Sequence, residues 1–127
     1  MGDGARTKLV NNLLAGINLV GAAEVMALSE HLGLSLDTTL SVIEQSSGQS
    51  WIGSERMRRA LENDFAPRAH MTLLTKDTSL AVDAAKAAGF QGVLGPLAAE
   101  AFAKACQAGL AQADDAAMLQ WVRQQQK

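Results

Sequence analysis

From Thr7 to Gly33 the sequence reads TKLVNNLLAGINLVGAAEVMALSEHLG, and this stretch sets the fold class. It is rich in Leu, Ala and Met, holds no proline, and never alternates with period two over a strand's length. It ends on a glycine placed where a helix C′ residue belongs. The reading is one helix from Thr7 to Leu32, a rod of about 39 Å at 1.5 Å per residue. Leu9 to Leu28 is long enough to suggest a membrane span, but Asn11, Asn12, Asn18 and Glu24 interrupt it. A helix this long and apolar is expected to be buried on most sides, by other helices of this chain or of a partner.

Working outward, the same punctuation recurs and no strand pattern appears, so the chain reads as all-α: about six helices around the long first one. A second helix opens at Ser35 or Asp37 as N-cap and carries Leu40 and Ile43 inward. Ser46 to Ser50 breaks it. A third helix follows with Trp51, Ile52, Met57 and Leu61, and its Arg56, Arg58 and Arg59 read as a solvated outer stripe. Asn63 to Pro67 is a loop. A fourth helix runs from about Ala69 to Ala88 and stops at Gly89. Pro96 opens a fifth in the first-turn position and Gly109 ends it. Asp114 or Asp115 begins the last, with Met118, Leu119 and Val122 on its apolar side, and the Gln124 to Lys127 end frays.

The chain has 127 residues, 48% of them hydrophobic, which suits one domain with a core and is too few for two. Eleven basic against 13 acidic side chains give a net charge of −2, so no basic field points to nucleic acid or an anionic membrane. One Cys with two His builds neither an internal disulfide nor a structural zinc site. No metal is expected, and the expected setting is a reducing cytoplasm. The start, Met1 to Arg6, lacks the apolar run of a leader peptide. Cys106 reads as a small core residue, His31 suits a helix C-terminus, and His70 takes a structural place at the start of the fourth helix.

Two polar groups carry candidate chemistry. Lys8 and Asn12 stand i,i+4 on one helix face with Asn11 beside them. A lysine stacked on an amide can hold a small polar ligand, the lysine moving a proton and the amide fixing orientation. The alternative is a lysine that snorkels over asparagines bonded to a neighbouring loop. Lys76 and Asp77, with Asp83 further on, form the second group. Adjacent helical residues point about 100° apart, so Lys76 and Asp77 cannot share one narrow stripe; one that faces the core or a cleft needs a partner, and the alternative is an ordinary surface pair. Gly2-Asp3-Gly4 is no dinucleotide fingerprint, because Thr7 stands where the third glycine belongs and no strand precedes it.

The run from Gly2 to Asn12 resembles the Gly-x-Gly-x-x-x-Lys-x-x-Asn-Asn signature of the β-hydroxyacid dehydrogenase family, which includes 3-hydroxyisobutyrate dehydrogenase and 6-phosphogluconate dehydrogenase. Lys76-Asp77-Thr78-Ser79-Leu80-Ala81-Val82-Asp83 is similar to that family's later Lys-Asp-Leu-Gly-x-Ala-x-Asp motif, with Thr78-Ser79 as a departure. Ser46-Ser47-Gly48 followed by Trp51 resembles the turn of its hydroxyisobutyrate-type members. Order and spacing agree over nearly the whole chain. The resemblance implies the helical C-terminal domain of such an enzyme over residues 1–127. Its usual companion, an N-terminal Rossmann domain with the glycine-rich cofactor loop, has no counterpart in this sequence.

The same resemblance implies an NAD- or NADP-dependent dehydrogenase of a small 3-hydroxy acid or its semialdehyde, inactive as this domain alone. Lys8 would be the general acid/base, and base work at neutral pH requires a lysine whose charge is opposed by desolvation or a nearby cation such as Arg6. Asn12 would bind and orient the substrate, and Asn11 would fix the helix or adjoining loop. Lys76 would lie beside the cofactor, with Asp77 and Asp83 in support. A homo-oligomer joined through the first helix is expected. The competing reading is a helical interaction module that kept the fold without the chemistry; a DNA-binding bundle has only Arg56, Arg58 and Arg59 behind it.

Overall fold

The computed structural model describes residues 3–126, so Gly2 of the first motif lies outside the described residues. Among the described residues six α-helices follow one another: α1 Asp3–His31, α2 Leu36–Glu44, α3 Trp51–Leu61, α4 Met71–Ala87, α5 Leu94–Ala105 and α6 Met118–Gln124. A π turn, Cys106–Leu110, extends α5, and a 3-10 turn, Asp115–Ala117, leads into α6. No strand occurs among the described residues; His70 and Asp114 form one isolated antiparallel bridge. The all-α reading holds.

The ends follow local chemistry. Ser35 caps α2, its Oγ accepting from the Thr38 N–H, and Ser50 caps α3 by accepting from Gly53. Gly33 and Gly89 take φ of +78° and +76°, the left-handed conformation that stops α1 and α4. Several boundaries differ from expectation. The first helix already includes Asp3, ahead of the expected Thr7; Asp3 brings an acid to the positive end and its carbonyl accepts from Thr7 Oγ1 at 2.8 Å. The fourth begins at Met71, after Ala69 and His70 are drawn into contacts with Asp114 and Ala113. The fifth begins at Leu94, which still leaves Pro96 in the first turn, and its α geometry ends at Ala105. Gly109, at φ +97°, then turns the chain back.

At 29 residues α1 is about 43 Å long, and α3, α4, α5 and α6 all pack on it. Leu19, Met26, Met57, Met71, Phe102, Met118 and Leu119 are fully or almost fully buried where they meet. Close approach depends on two glycines. A Cβ at Gly16 would sit 2.6 Å from Thr78 Cγ2 and 3.3 Å from Phe102 Cε2, so α4 and α5 can close on α1 only over a bare backbone. A Cβ at Gly53 would stand 3.0 Å from that of Ala22, which fixes how near α3 comes.

Burial of α1 on most sides is not what the fold delivers. Its buried residues are Gly16, Leu19, Ala23, Met26, Ala27 and Ser29, a single stripe, because the other helices gather along one side. Val10, Leu14, Val25 and Leu28 remain exposed. The helix is long and apolar enough to cross a membrane by length and composition, with 33% of its most apolar window buried.

The solvated arginine stripe is also overturned. Arg59 is buried at 8% exposure: its Nη1 donates to Asp114 Oδ2 at 2.9 Å and its Nε to Glu55 Oε2 at 2.9 Å. Arg56 Nε donates to the buried Asp115 at 2.6 Å. Only Arg58 lies near the surface, and it is paired with Glu44 at 2.7 Å and with Asp37. The turn before α6 pushes two adjacent carboxylates under α3, and buried carboxylates require cationic partners. Asp114 does act as an N-cap, accepting from Ala116 N–H, but it also accepts from the backbone of Arg68 and Ala69. One side chain thereby ties three segments together.

Candidate active site

A cleft of about 400 Å³ lies between α1, the start of α3 and α4. Each wall arises from sequence spacing. On α1, Asn11 and Asn18 stand seven residues apart and so share a face, with Leu14 and Ala15 between them. On α4, Leu73 and Leu74 stand four and three residues before Asp77 and so share its face. Trp51, the first residue of α3 and 74% exposed, stands at the mouth, and Arg56 with Asp115 closes the far end.

The two motif regions, 65 residues apart in sequence, meet here. Asn12 Nδ2 donates to Asp77 Oδ2 at 3.1 Å. Asn11 Nδ2 donates in turn to Asn12 Oδ1 at 3.4 Å, so the amide is held from both ends. Asn12 keeps its second N–H for a ligand, and Asp77 keeps its other oxygen. Asp77 is thus the member of the Lys76–Asp77 pair that faces the cleft, and its partner is Asn12; Lys76 is exposed on the adjoining face. Lys8 stands one turn before Asn12 on α1, exposed, just beyond the cleft-lining residues. Asp83 is exposed six residues after Asp77, about 120° further round α4, and does not line the cleft.

The far end is charged but nearly balanced. Burial pushes the Asp115 carboxyl above the usual range, and Arg56 offsets this only in part. Burial opposes the Arg56 charge, yet Asp115 and Glu55 hold its pKa above the ordinary value. Burial likewise works against ionised Asp114, but the N–H groups of Ala116, Arg68 and Ala69, with Arg59, outweigh it and lower its pKa. Arg59 is raised, its burial overcome by Glu55 and Asp114. These guanidiniums are spent on the protein's own carboxylates, which removes them as a surface for nucleic acid.

Three polar cleft residues were not read from the sequence as part of a catalytic site: Asn18, Arg56 and Asp115. Only Asn18 left a signal, its heptad distance from Asn11. Trp51 read as an inward residue of α3 and instead stands at the mouth. His70 precedes α4 as its N-cap residue without a side-chain cap bond, and Cys106 is half-buried with its Sγ 3.2 Å from Thr75 Oγ1. No group of three or more metal-ligating side chains occurs among the described residues.

Residues 2–122 match the family model described as the NAD-binding domain of NADP-dependent 3-hydroxyisobutyrate dehydrogenase. The chain belongs to this family. Members are NAD(P)-dependent hydroxyacid dehydrogenases. The L-threonate dehydrogenase of Escherichia coli strain K12 is 35% identical over 118 residues, covering 93% of this chain and 39% of that enzyme. A 3-hydroxyisobutyrate dehydrogenase from Salmonella typhimurium superposes with a TM-score of 0.91 at 35% identity, over 94% of this chain and 42% of that one. The Mycobacterium tuberculosis 3-hydroxyisobutyrate dehydrogenase, solved with L-serine, gives 0.84 at 31% identity, over 93% and 43%. The chain therefore spans about two fifths of the length of these family members.

The cleft carries amides, a carboxylate and an indole around a volume of about 400 Å³, within the range of small-molecule sites. Asn11, Asn12 and Asp77 are the polar groups on the α1 and α4 walls of the cleft.

Proposed function

We propose that this chain is the helical half of an NAD(P)-dependent 3-hydroxyacid dehydrogenase, acting on a small 3-hydroxy acid or its semialdehyde. A Rossmann domain would close over the cleft and bind most of the cofactor. The observation that carries this reading is the Asn12–Asp77 hydrogen bond, which joins the two motif regions at the wall of one cleft.

Lys8 is the proton-transfer group. In oxidation its neutral amine takes the substrate hydroxyl proton, and in reduction its ammonium returns a proton to the carbonyl oxygen. Asn12, its amide orientation fixed by Asp77 and Asn11, donates its free N–H to the substrate and holds it against Lys8. Asp77 positions Asn12; Lys76 and Asp83 lie on α4 faces that a docked cofactor domain would cover. Trp51 screens the mouth from water. The nicotinamide, when bound, supplies or accepts the hydride. In this reading the protein works in the cytoplasm as a homo-oligomer, and residues 1–127 alone turn nothing over.

The test is turnover of the chain joined to its Rossmann domain, with NAD and NADP, on L-threonate and 3-hydroxyisobutyrate. Lys8→Ala is expected to lower kcat by at least about 100-fold, the low end for acid–base groups. Near-normal turnover by that variant refutes the assignment of Lys8. Activity of residues 1–127 alone refutes the division of labour.

A further inference from the structure

We infer that the Arg56–Asp115 pair, with Asn18, is the specificity-determining end of the cleft, reading the further hydroxyls of a polyhydroxy monocarboxylic acid. The inference rests on the dehydrogenase reading and names the substrate class within it.

Two ion pairs tie α3 to the turn before α6, and only one of them opens on the cleft. Arg59 and Asp114 lie outside the cleft lining, where Asp114 accepts four hydrogen bonds and joins three segments. That pair is a clamp. Arg56 and Asp115 both line the cleft, with side chains 14% and 1% exposed, beside the apolar Ile52, Ala69 and Leu74. An ion pair in such a wall costs desolvation that an apolar pair of similar volume avoids. What the apolar pair cannot supply is hydrogen bonding toward the cleft.

Counting donors shows what is left for a ligand. Of the five N–H groups of Arg56, Nε–H goes to Asp115 Oδ1 at 2.6 Å and one Nη1–H to Glu55. One Nη2–H makes a long contact of 3.4 Å with Asp115 Oδ2. Two N–H groups remain, and Asp115 Oδ2 has room for a stronger donor. Asn18 brings a carbonyl oxygen and an NH₂ group to the same cleft. A hydroxyl both donates and accepts, so it suits a guanidinium standing beside a carboxylate. A second carboxylate does not, because Arg56 already faces two acids, Asp115 and Glu55.

The length agrees. From Asn12 to Asn18 the helix rises about 9 Å. A hydrogen bond of about 3 Å at each end leaves about 3 Å between the two bonded oxygens. That is the separation of hydroxyls on neighbouring carbons. A substrate whose reacting hydroxyl is held at Asn12 therefore presents its next hydroxyl to the Asn18 end. 3-Hydroxyisobutyrate has a methyl branch and no second hydroxyl, so it leaves that end without a partner.

Steady-state kinetics of the chain joined to its Rossmann domain, on L-threonate and on 3-hydroxyisobutyrate, tests the inference. The expected kcat/KM favours L-threonate, a trihydroxy acid, by at least about 100-fold; the pair's own bonds keep this below the ~10,000-fold of polar groups left wholly unpaired. Arg56→Met with Asp115→Leu removes both charges at similar volume, which a fold tolerates. It should reduce that ratio at least about 50-fold, through a raised KM for L-threonate and a raised kcat/KM for 3-hydroxyisobutyrate, whose methyl then meets an apolar wall. Asn18→Leu, which leaves the ion pair in place, should reduce the ratio about tenfold. An ion pair that serves only the fold would lower both activities alike, so an unchanged ratio in the double variant overturns the inference. A wild-type preference for 3-hydroxyisobutyrate does the same. Should the double variant not fold, the ratio in Asn18→Leu decides, and no change there is equally fatal. Turnover of neither acid, with NAD or NADP, sinks the dehydrogenase reading and the inference with it, whereas turnover with the wrong preference sinks the inference alone.

Discussion

Replacing Asp114 by Asn should cost this fold a large share of its stability. The carboxylate is fully buried and accepts four hydrogen bonds, from Arg68 N and Ala69 N at 2.9 and 3.1 Å, and from Ala116 N and Arg59 Nη1 at 2.9 Å each. An amide can accept the first two through its oxygen. Its NH₂ group then confronts two donors that have no other acceptor, and Arg59 is left with Glu55 alone. Breaking a buried pair from one side costs about 3–5 kcal/mol, against a total of about 5–15 kcal/mol for a domain. With an unfolding entropy of about 2.1 cal/mol/K per residue, 127 residues convert this to a fall in Tm of roughly 11–19 °C. Urea unfolding followed at 222 nm should show a lower midpoint at an unchanged m value. Removing both charges as Arg59→Met with Asp114→Asn should cost less than the sum of the single changes, since the stranded guanidinium is gone. A loss below about 1 kcal/mol for Asp114→Asn, or strict additivity in the double variant, refutes the claim that this pair holds α3 to the α6 entry.

Three further outcomes are expected from the same geometry. Gly16→Ala should destabilise by about 1–3 kcal/mol in spite of better helix propensity, because its Cβ would meet Thr78 at 2.6 Å; a thermal melt showing a gain would refute that packing. Acid should unfold the protein: Asp114 and Glu55 have folded pKa values below their ordinary ones, so their stabilisation is full above the unfolded values and lost as pH falls through the folded ones. Asp115 works the other way, its raised pKa favouring the fold below the unfolded value, so Asp115→Asn should flatten part of the pH dependence above about pH 4 in urea titrations. In the complete enzyme, Asp77→Ala should lower kcat while Asp83→Ala leaves it within about threefold, since only Asp77 bonds Asn12; equal effects in steady-state assays would show that the bond is not what matters.

The helices, most of their ends, and the motif that places Lys8, Asn11 and Asn12 on one turn are legible in the chain before it is folded. Those features are local: a capping serine, a left-handed glycine or an i,i+4 pair depends on atoms within a few residues. The spacing also says that Lys76 and Asp77 cannot share one narrow face, without saying whether either meets a partner. Packing of α4 on α1 selects Asp77, because Asn12 lies 65 positions away and no periodicity links them. The arginines of α3 show the same limit from the other side. A charged stripe normally faces water, and nothing near Arg56 or Arg59 in sequence reveals two carboxylates arriving from residues 114 and 115. The first helix is apolar nearly all round, so its composition could not tell which face would be covered. That was settled by where the other helices gather, and they cover one side.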